Sequence, residues 1–515
     1  MSRTACLAGS SLAILGLVLA GGMALAAPPD PIPQLGPREG VPAFVGQPAL
    51  PRPVAAMPEP DAAGTGQEGA GPGPDLAGSG LYLADGPLGG AQEARSAFLR
   101  AGCGTVSFDR SGRVLASCGT GKGAILHLLD PRSLATLASY QLPARPDARG
   151  DHFQDGQDQV VTLAGPGQIW TLRQVRVVTI GAEKTSGSIR FEKTASCDLT
   201  SALPANAWIV SARPGPGGTI WFAASSGLVG TVRPEGCAVR SVQLATPDGR
   251  AEAVSVPLAT DQQDGGAFVV TDHALYRLDL RPDGSPAISW RQGYDRGRRH
   301  KPGKPGQGSA TAPTLIGAGF VAITDNADPA EKLQLFERSR NGGGALICST
   351  GLFEAFPMRG AATAPLAAFA WRDGQRATVL AANGYGQQGR RSVERGRTTV
   401  PGLERVDIDL AHGRCRQVWS NRQVSIPGGR TTLSLGSGLA YAWSKPQGPG
   451  LADPWYFTAI DLQSGRAVYR RLAGTGIGFG DGRAGIALGP DGSAYVGVAG
   501  GLVRIRDTGD LAGQD

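Results

Sequence analysis

The chain has 515 residues, of which 78 are Gly and 38 are Pro, together about 23% against a usual share of about 12%. With 18% charged residues, 41% hydrophobic residues and a formal net charge of +7, the composition suits a soluble globular protein. Glycine at this density excludes a mainly helical one, because each interior Gly costs a helix about 1 kcal/mol relative to Ala.

Residues 1–26 read as a secretory signal, with Arg3 in the charged start, an apolar run from Leu12 to Leu19 and a small-residue cleavage site at Ala24-Leu25-Ala26. The apolar run is shorter than the ~20 residues of a membrane span and is followed by Gly21 and Gly22. A secreted or periplasmic protein beginning near Ala27, with no stable membrane insertion, is expected. Removing Cys6 leaves Cys103, Cys118, Cys197, Cys237, Cys348 and Cys415, an even set that permits up to three disulfides in an oxidising compartment. No two are adjacent and none forms CxxC, which excludes zinc clusters, thioredoxin-type chemistry and covalent haem. Residues 27–79 carry Pro and then Gly with few large apolar side chains, and a disordered linker is expected there.

From residue 80 onward, short β-branched and aromatic runs alternate with Gly, Asp and Pro, the signature of an all-β fold. First strands of a recurring unit begin near Thr105, Val160, Trp208, Val254, Ala312, Leu366, Thr431 and Ala484, a period of about 54 residues. Third strands carry Asp130, Asp279, Asp407 and Asp461, and fourth strands carry the aromatics Tyr140, Trp290, Trp419 and Tyr469, about 8 to 12 residues later, a hairpin distance. Such units predict a β-propeller of four-stranded antiparallel blades over 80–515. Eight blades are favoured over seven, the second unit being poorly marked, and a pair of β-sandwiches is the other architecture. The last unit has room for three strands, and Gly80 to Asp85 is expected to supply its outer strand and close the ring.

In a meandering blade, the loop between the second and third strands and the connector to the next blade share a face. On that face fall Asp272-His273, Asp325-Asn326-Ala327-Asp328-Pro329, Asn383-Gly384-Tyr385, the basic connector from Arg291 to Ser309, and the loop of Gly474 to Arg483 that contains Asp481. Long loops on one face of a rigid scaffold carry function, and much of the glycine is concentrated there. Cys103 and Cys118 lie near the same face, and their pairing is favoured. Asp325, Asn326 and Asp328 offer hard oxygen ligands for Ca²⁺, and equally a good β-turn. Arg298 and Arg299, with Arg390 and Arg391, form either a positive rim for an anionic ligand or solvated loops. Asn383, Tyr385 and Asp481 complete the candidate ligand-binding set, and His273 beside Asp272 is the one candidate base. With 6% aromatics, nucleic acid is not expected as a partner, and a monomer is.

The run FTAIDLQSGRAVYRRLAG resembles the blade motif of quinoprotein alcohol dehydrogenase-like propellers. TAPTLIGAGFVAITDNADP, PGLERVDIDLAHGRCRQVWSN and LGPDGSAYVGVAGGLVRIRD resemble a group of uncharacterised secreted bacterial propeller proteins. The resemblance implies a quinoprotein-like ring and a shared site at Asp325 to Asp328 and Asn383 to Tyr385. The chain departs from the group at Phe479-Gly480-Asp481-Gly482 and lacks the vicinal disulfide of many quinoprotein dehydrogenases, which argues against pyrroloquinoline quinone. Three functions follow: a protein that binds a small molecule, glycan or protein on the loop-rich face without chemistry; a Ca²⁺-dependent, lactonase-like hydrolase; and a quinone-dependent dehydrogenase.

Overall fold

The computed structural model describes residues 27–57, 79–109, 111–120, 123–142, 153–157, 160–164, 168–180, 185–261, 263–447 and 451–509. The expected signal segment, 1–26, lies outside the described residues, as do residues 58–78. The strands form seven four-stranded antiparallel sheets and one six-stranded sheet. First strands of successive sheets neighbour one another at every junction but that of units four and five, which meet through the cluster of Ala259, Phe268, Leu315 and Val321, and the last unit packs on the first through Asp481–Leu488 against Gly102–Phe108. The fold is a β-propeller of four-stranded antiparallel blades.

Among the residues whose burial is described, inner strands are the more buried and outer strands the more exposed. Ile220–Ala224 and Leu439–Ser444 are buried along their whole length, as strands covered on both faces must be. The outer strands Ala238–Gln243 and Arg414–Asn421 are half-exposed and carry arginines, which discourages pairing with another chain at the sheet edge. In unit two the first strand is Phe153–Gln157, and Val160–Ala164, expected as the first, is the second.

The ring closes differently from expectation. Leu81–Tyr82 pairs in parallel with Thr431–Ser434 of unit seven, while the outer strand of the last unit is Gln92–Phe98, antiparallel to Gly501–Asp507. Seven register pairs and the contacts of Glu93 with Arg504 and Arg506 hold that strand, whereas Gly80 to Asp85 offers two paired residues.

Residues 27–57 are also not a free tether. Phe44–Gly46 adds to the outer strand Ala467–Thr475 of unit seven. Val54 and Met57 donate to backbone carbonyls of Leu435 and Ala370 on neighbouring units. Upstream, Ile32 is buried and donates its N–H to Ser96. It sits where a Cβ on Gly478 or Gly500 would come within about 3 Å of it. The glycines of that loop make room for this strap, so their density marks a packing need rather than an open ligand site.

Three disulfides are formed: Cys103–Cys118 within unit one, between cross-strand partners; Cys197–Cys237, joining units two and three; and Cys348–Cys415, joining the outer strands of units five and six.

A second link joins blades where the third strand carries Arg-x-Asp. Residues two apart share a sheet face, so Arg277 makes a two-pronged bond to Asp279, and its guanidinium reaches on to the backbone carbonyl of Arg338 in unit five. Beside it, Trp290 donates to the carbonyl of Ser339 at 3.1 Å. In unit six, Arg405 pairs with Asp407 and donates to the carbonyl of Leu462 in unit seven, as does Trp419. Arg504 of the last unit repeats the link on the carbonyls of Pro131 and Arg132 in unit one, with Glu93 in the role of the aspartate. Removing one partner of a buried pair strands the other. Arg277→Ala is therefore expected to cost about 3–5 kcal/mol in urea unfolding, and Arg277→Met combined with Asp279→Leu to recover most of it.

Candidate functional site

The connector from Tyr294 to Thr311 crosses the ends of three units. At unit four, the Tyr294 hydroxyl bonds the carbonyl of Thr271 and receives the N–H of Ser309. At unit five, Lys304 is fully buried and its Nζ reaches Glu331 Oε1 at 2.6 Å, the carbonyl of Gly308 at 3.1 Å and that of Asp325 at 3.2 Å. All three ammonium donors are used, and burial still holds Lys304 below the usual lysine range. Lys301 is buried alongside, donating to the carbonyl of Ala327 at 2.7 Å and to Glu331 Oε1 at 3.4 Å. At unit six, the N–H of Gly386 donates to the carbonyl of Pro302. A Cβ on Gly303, whose φ is +107°, would lie 2.8 Å from the carbonyl of Gly384, so the two loops touch through backbone.

Glu331 and Asn383 continue this stitching. Glu331 Oε2 accepts the N–H of Ala362 at 2.8 Å, and Asn383 Oδ1 accepts those of Ala361 and Tyr385, both at 3.1 Å. The Asn383 amide nitrogen donates to the carbonyls of Arg359 and Pro401. Asn383, expected to bind ligand, is buried with both ends of its amide committed to its own loops.

The three expected metal ligands turn to different partners. Asp325 Oδ1 accepts the N–H groups of Ala327 at 3.1 Å and Lys332 at 2.7 Å, capping its own turn. Asn326 donates to the carbonyls of Arg296 and Arg299. Asp328 receives Arg299 Nε at 3.2 Å and the N–H of Arg298 at 3.4 Å. Two buried oxygens of this turn, Asp325 Oδ2 and Asn326 Oδ1, have no hydrogen-bond partner. Among the described residues, no group of three or more His, Cys, Asp or Glu side chains is placed to hold a metal ion.

Of the expected cationic rim, Arg298 is exposed, while Arg299 is drawn in by Asp328, by Tyr385 Oη at 3.5 Å and by the carbonyl of Met358. Arg391 is exposed and its carbonyl accepts the Arg397 guanidinium. The side chains of Arg390 and Asp481 lie outside the described residues. His273 Nδ1 meets Asp272 Oδ1 at 2.9 Å, and Asp272 also receives Arg296 and the N–H of Ala253. The structure thus brings Asp328, Arg298, Arg299 and Tyr385 together, and gives His273 an orienting carboxylate. Glu331 belongs to no motif of the sequence, and Lys301 and Lys304, which the sequence places in the basic connector with Arg298 and Arg299, are internal. The two Pro-Gly steps that follow these lysines in HKPGKPG, each a turn signal, are the sequence feature that marks the segment.

Burial pushes the Asp325 carboxyl up to about 6. The native state therefore binds this proton more tightly than the unfolded chain. Its stabilising contribution is complete below the ordinary aspartate range and is lost as pH rises through about 6. In urea unfolding from pH 3.5 to 7, Asp325→Asn is expected to flatten the profile relative to the unaltered protein, by on the order of 3 kcal/mol.

The chain matches no protein-family model. An uncharacterised protein of Archaeoglobus fulgidus is 29% identical over 314 residues, covering 56% of this chain; the match spans 59% of that relative's length. Among solved structures, the chain is similar to β-propeller proteins. Streptogramin B lyase has a TM-score of 0.37 at 11% identity, with 82% of this chain and 97% of that one covered. BamB of Moraxella catarrhalis gives 0.40 at 14%, with 83% and 94% covered. The dihydro-heme d1 dehydrogenase NirN gives 0.36 at 14%, with 71% and 74% covered.

Proposed function

We propose that the protein is a secreted or periplasmic β-propeller that binds an anionic ligand or partner on its loop-rich face, without chemistry of its own. One observation carries this reading: the connector buries Lys301 and Lys304 against Glu331, fixing the loops of units four, five and six as one platform while Arg298 and Arg391 stay exposed. A surface ordered before binding loses less entropy on binding. We take each of the sheets as one blade, the six-stranded one being a blade extended by N-terminal segments, so that the ring counts eight.

The second reading, a Ca²⁺-dependent lactonase-like hydrolase, draws on the unpartnered oxygens of Asp325 and Asn326. The two are separated by screening anionic glycans, phosphates and lactones for binding and for turnover, with Arg298→Gln/Arg391→Gln beside the unaltered protein. Binding without turnover, weakened roughly fivefold or more in the double variant, supports the binding module. A melting temperature raised by several degrees at about millimolar calcium, together with lactone hydrolysis, supports the hydrolase instead.

A further inference from the structure

A groove of about 600 Å³ lies between units six and seven. One wall is Ser420 to Gln423, the end of the outer strand of unit six and the start of its connector; the other is Ser464 to Arg470, the last turn and outer strand of unit seven. Its floor includes Val45 and Gly46 of the N-terminal strap.

Arg422, Arg466 and Arg470 line this groove and no acidic residue does. The buried and half-buried arginines Arg277, Arg291, Arg296, Arg299, Arg405 and Arg504, by contrast, all meet carboxylates. Among the described residues, the guanidinium groups of Arg422, Arg466 and Arg470 have neither an ion pair nor a hydrogen bond. Three arginines without an acidic partner on the walls of one groove raise the local positive potential, and a guanidinium is a planar donor fork that matches a carboxylate or sulfate.

The walls are also fixed. Asn421 Nδ2 donates across the groove to the carbonyl of Gly465 at 2.7 Å, while its Oδ1 receives the N–H groups of Gln423 and Val424. A Cβ on Gly465 would lie 2.4 Å from the Trp419 ring, so the turn seats directly on the residue that links units six and seven.

We propose that this groove is a second binding site, for an anionic oligosaccharide. Its volume is that of a ligand of several rings rather than of a single phosphate. Asn421 is committed to Gly465 and its own connector, Ser420 donates to Glu404 and Ser464 to Asp461, so the amide of exposed Gln423 is the polar group left beside the arginines for sugar hydroxyls. Its lining aromatic, Tyr469, is buried with its ring stacked inward on Phe44, so the groove offers no exposed ring on which a nucleobase stacks. The groove shares none of Arg298, Arg391, Tyr385, Lys301 and Lys304 with the first site, so either can fail alone.

The test is equilibrium binding of the full-length mature protein to a sulfated hexasaccharide, with inorganic phosphate and a single-stranded oligonucleotide of equal charge as comparators. Arg422→Gln/Arg466→Gln/Arg470→Gln is expected to weaken hexasaccharide binding about 20-fold or more, while Arg240→Gln/Arg250→Gln/Arg281→Gln, an equal loss of exposed charge elsewhere, changes it less than about threefold. In the unaltered protein, the hexasaccharide is expected to slow hydrogen exchange at residues 420–423 and 464–470. Undiminished binding by the groove variant, equal losses in both variants, no binding at all, no protection at those residues, or tighter binding of phosphate or oligonucleotide would each overturn the proposal.

Discussion

The ring depends on buried guanidiniums that belong to one blade and bond the backbone of the next. A blade surface has few ways to grip its neighbour, because its strands have already spent their hydrogen bonds on the sheet. Arg277, Arg405 and Arg504 solve this by taking charge from a carboxylate on their own blade and directing the remaining donors at turn carbonyls across the interface. The carboxylate keeps the cation affordable inside the protein, and the carbonyl fixes blade against blade in one geometry. Trp290 and Trp419 add an indole N–H to the same turns. At two of the interfaces without such a link, between units two and three and between units five and six, a disulfide joins the units.

The same physics, with lysine in place of arginine, orders the loop-rich face. Lys301 and Lys304 around Glu331 tie the connector to unit five, and Lys445 does the like with Asp453 at 3.0 Å and the carbonyl of Arg397. Burial lowers Lys445 from the usual lysine range as it does Lys304, yet each ammonium ends on oxygen. The face therefore divides its cations into internal ones that hold shape and external ones, Arg298 and Arg391, that meet solvent. The arginines of the groove between units six and seven are of the second kind, and the Trp419 link beneath them explains why that groove has fixed walls.

Much of this was legible in the sequence. The apolar-Asp steps at Asp279, Asp407 and Asp461 and the aromatics that follow place third and fourth strands correctly, because a repeat enforces the same hydrogen-bond and packing demands in every unit. That Arg277 and Arg405 stand two residues before those aspartates was visible too, but that they reach a neighbouring blade was not, since strand pattern carries no information across the interface. The closing strand Gln92–Phe98 was hidden by its Gln-Glu-Ala-Arg composition, which favours a helix by local propensity; pairing along Gly501–Asp507 overrides it. Glycine misled at Gly478, where a small residue admits Ile32 rather than a ligand. Asn383 misled for a related reason: a buried amide with four hydrogen bonds looks, in sequence, the same as one waiting for a partner.

The central claim is that the loops of units four, five and six form one platform because the connector locks them. Native-state hydrogen exchange under increasing denaturant tests it most directly, followed at the amides of Asn326, Ala327, Lys332, Ala361, Ala362, Tyr385 and Gly386, all of which are bonded within the network. The account predicts that these amides share one opening free energy and that Lys304→Met lowers it for all of them together. Independent opening of the 326–332 and 385–386 segments, or a Lys304→Met effect confined to unit five, would contradict it.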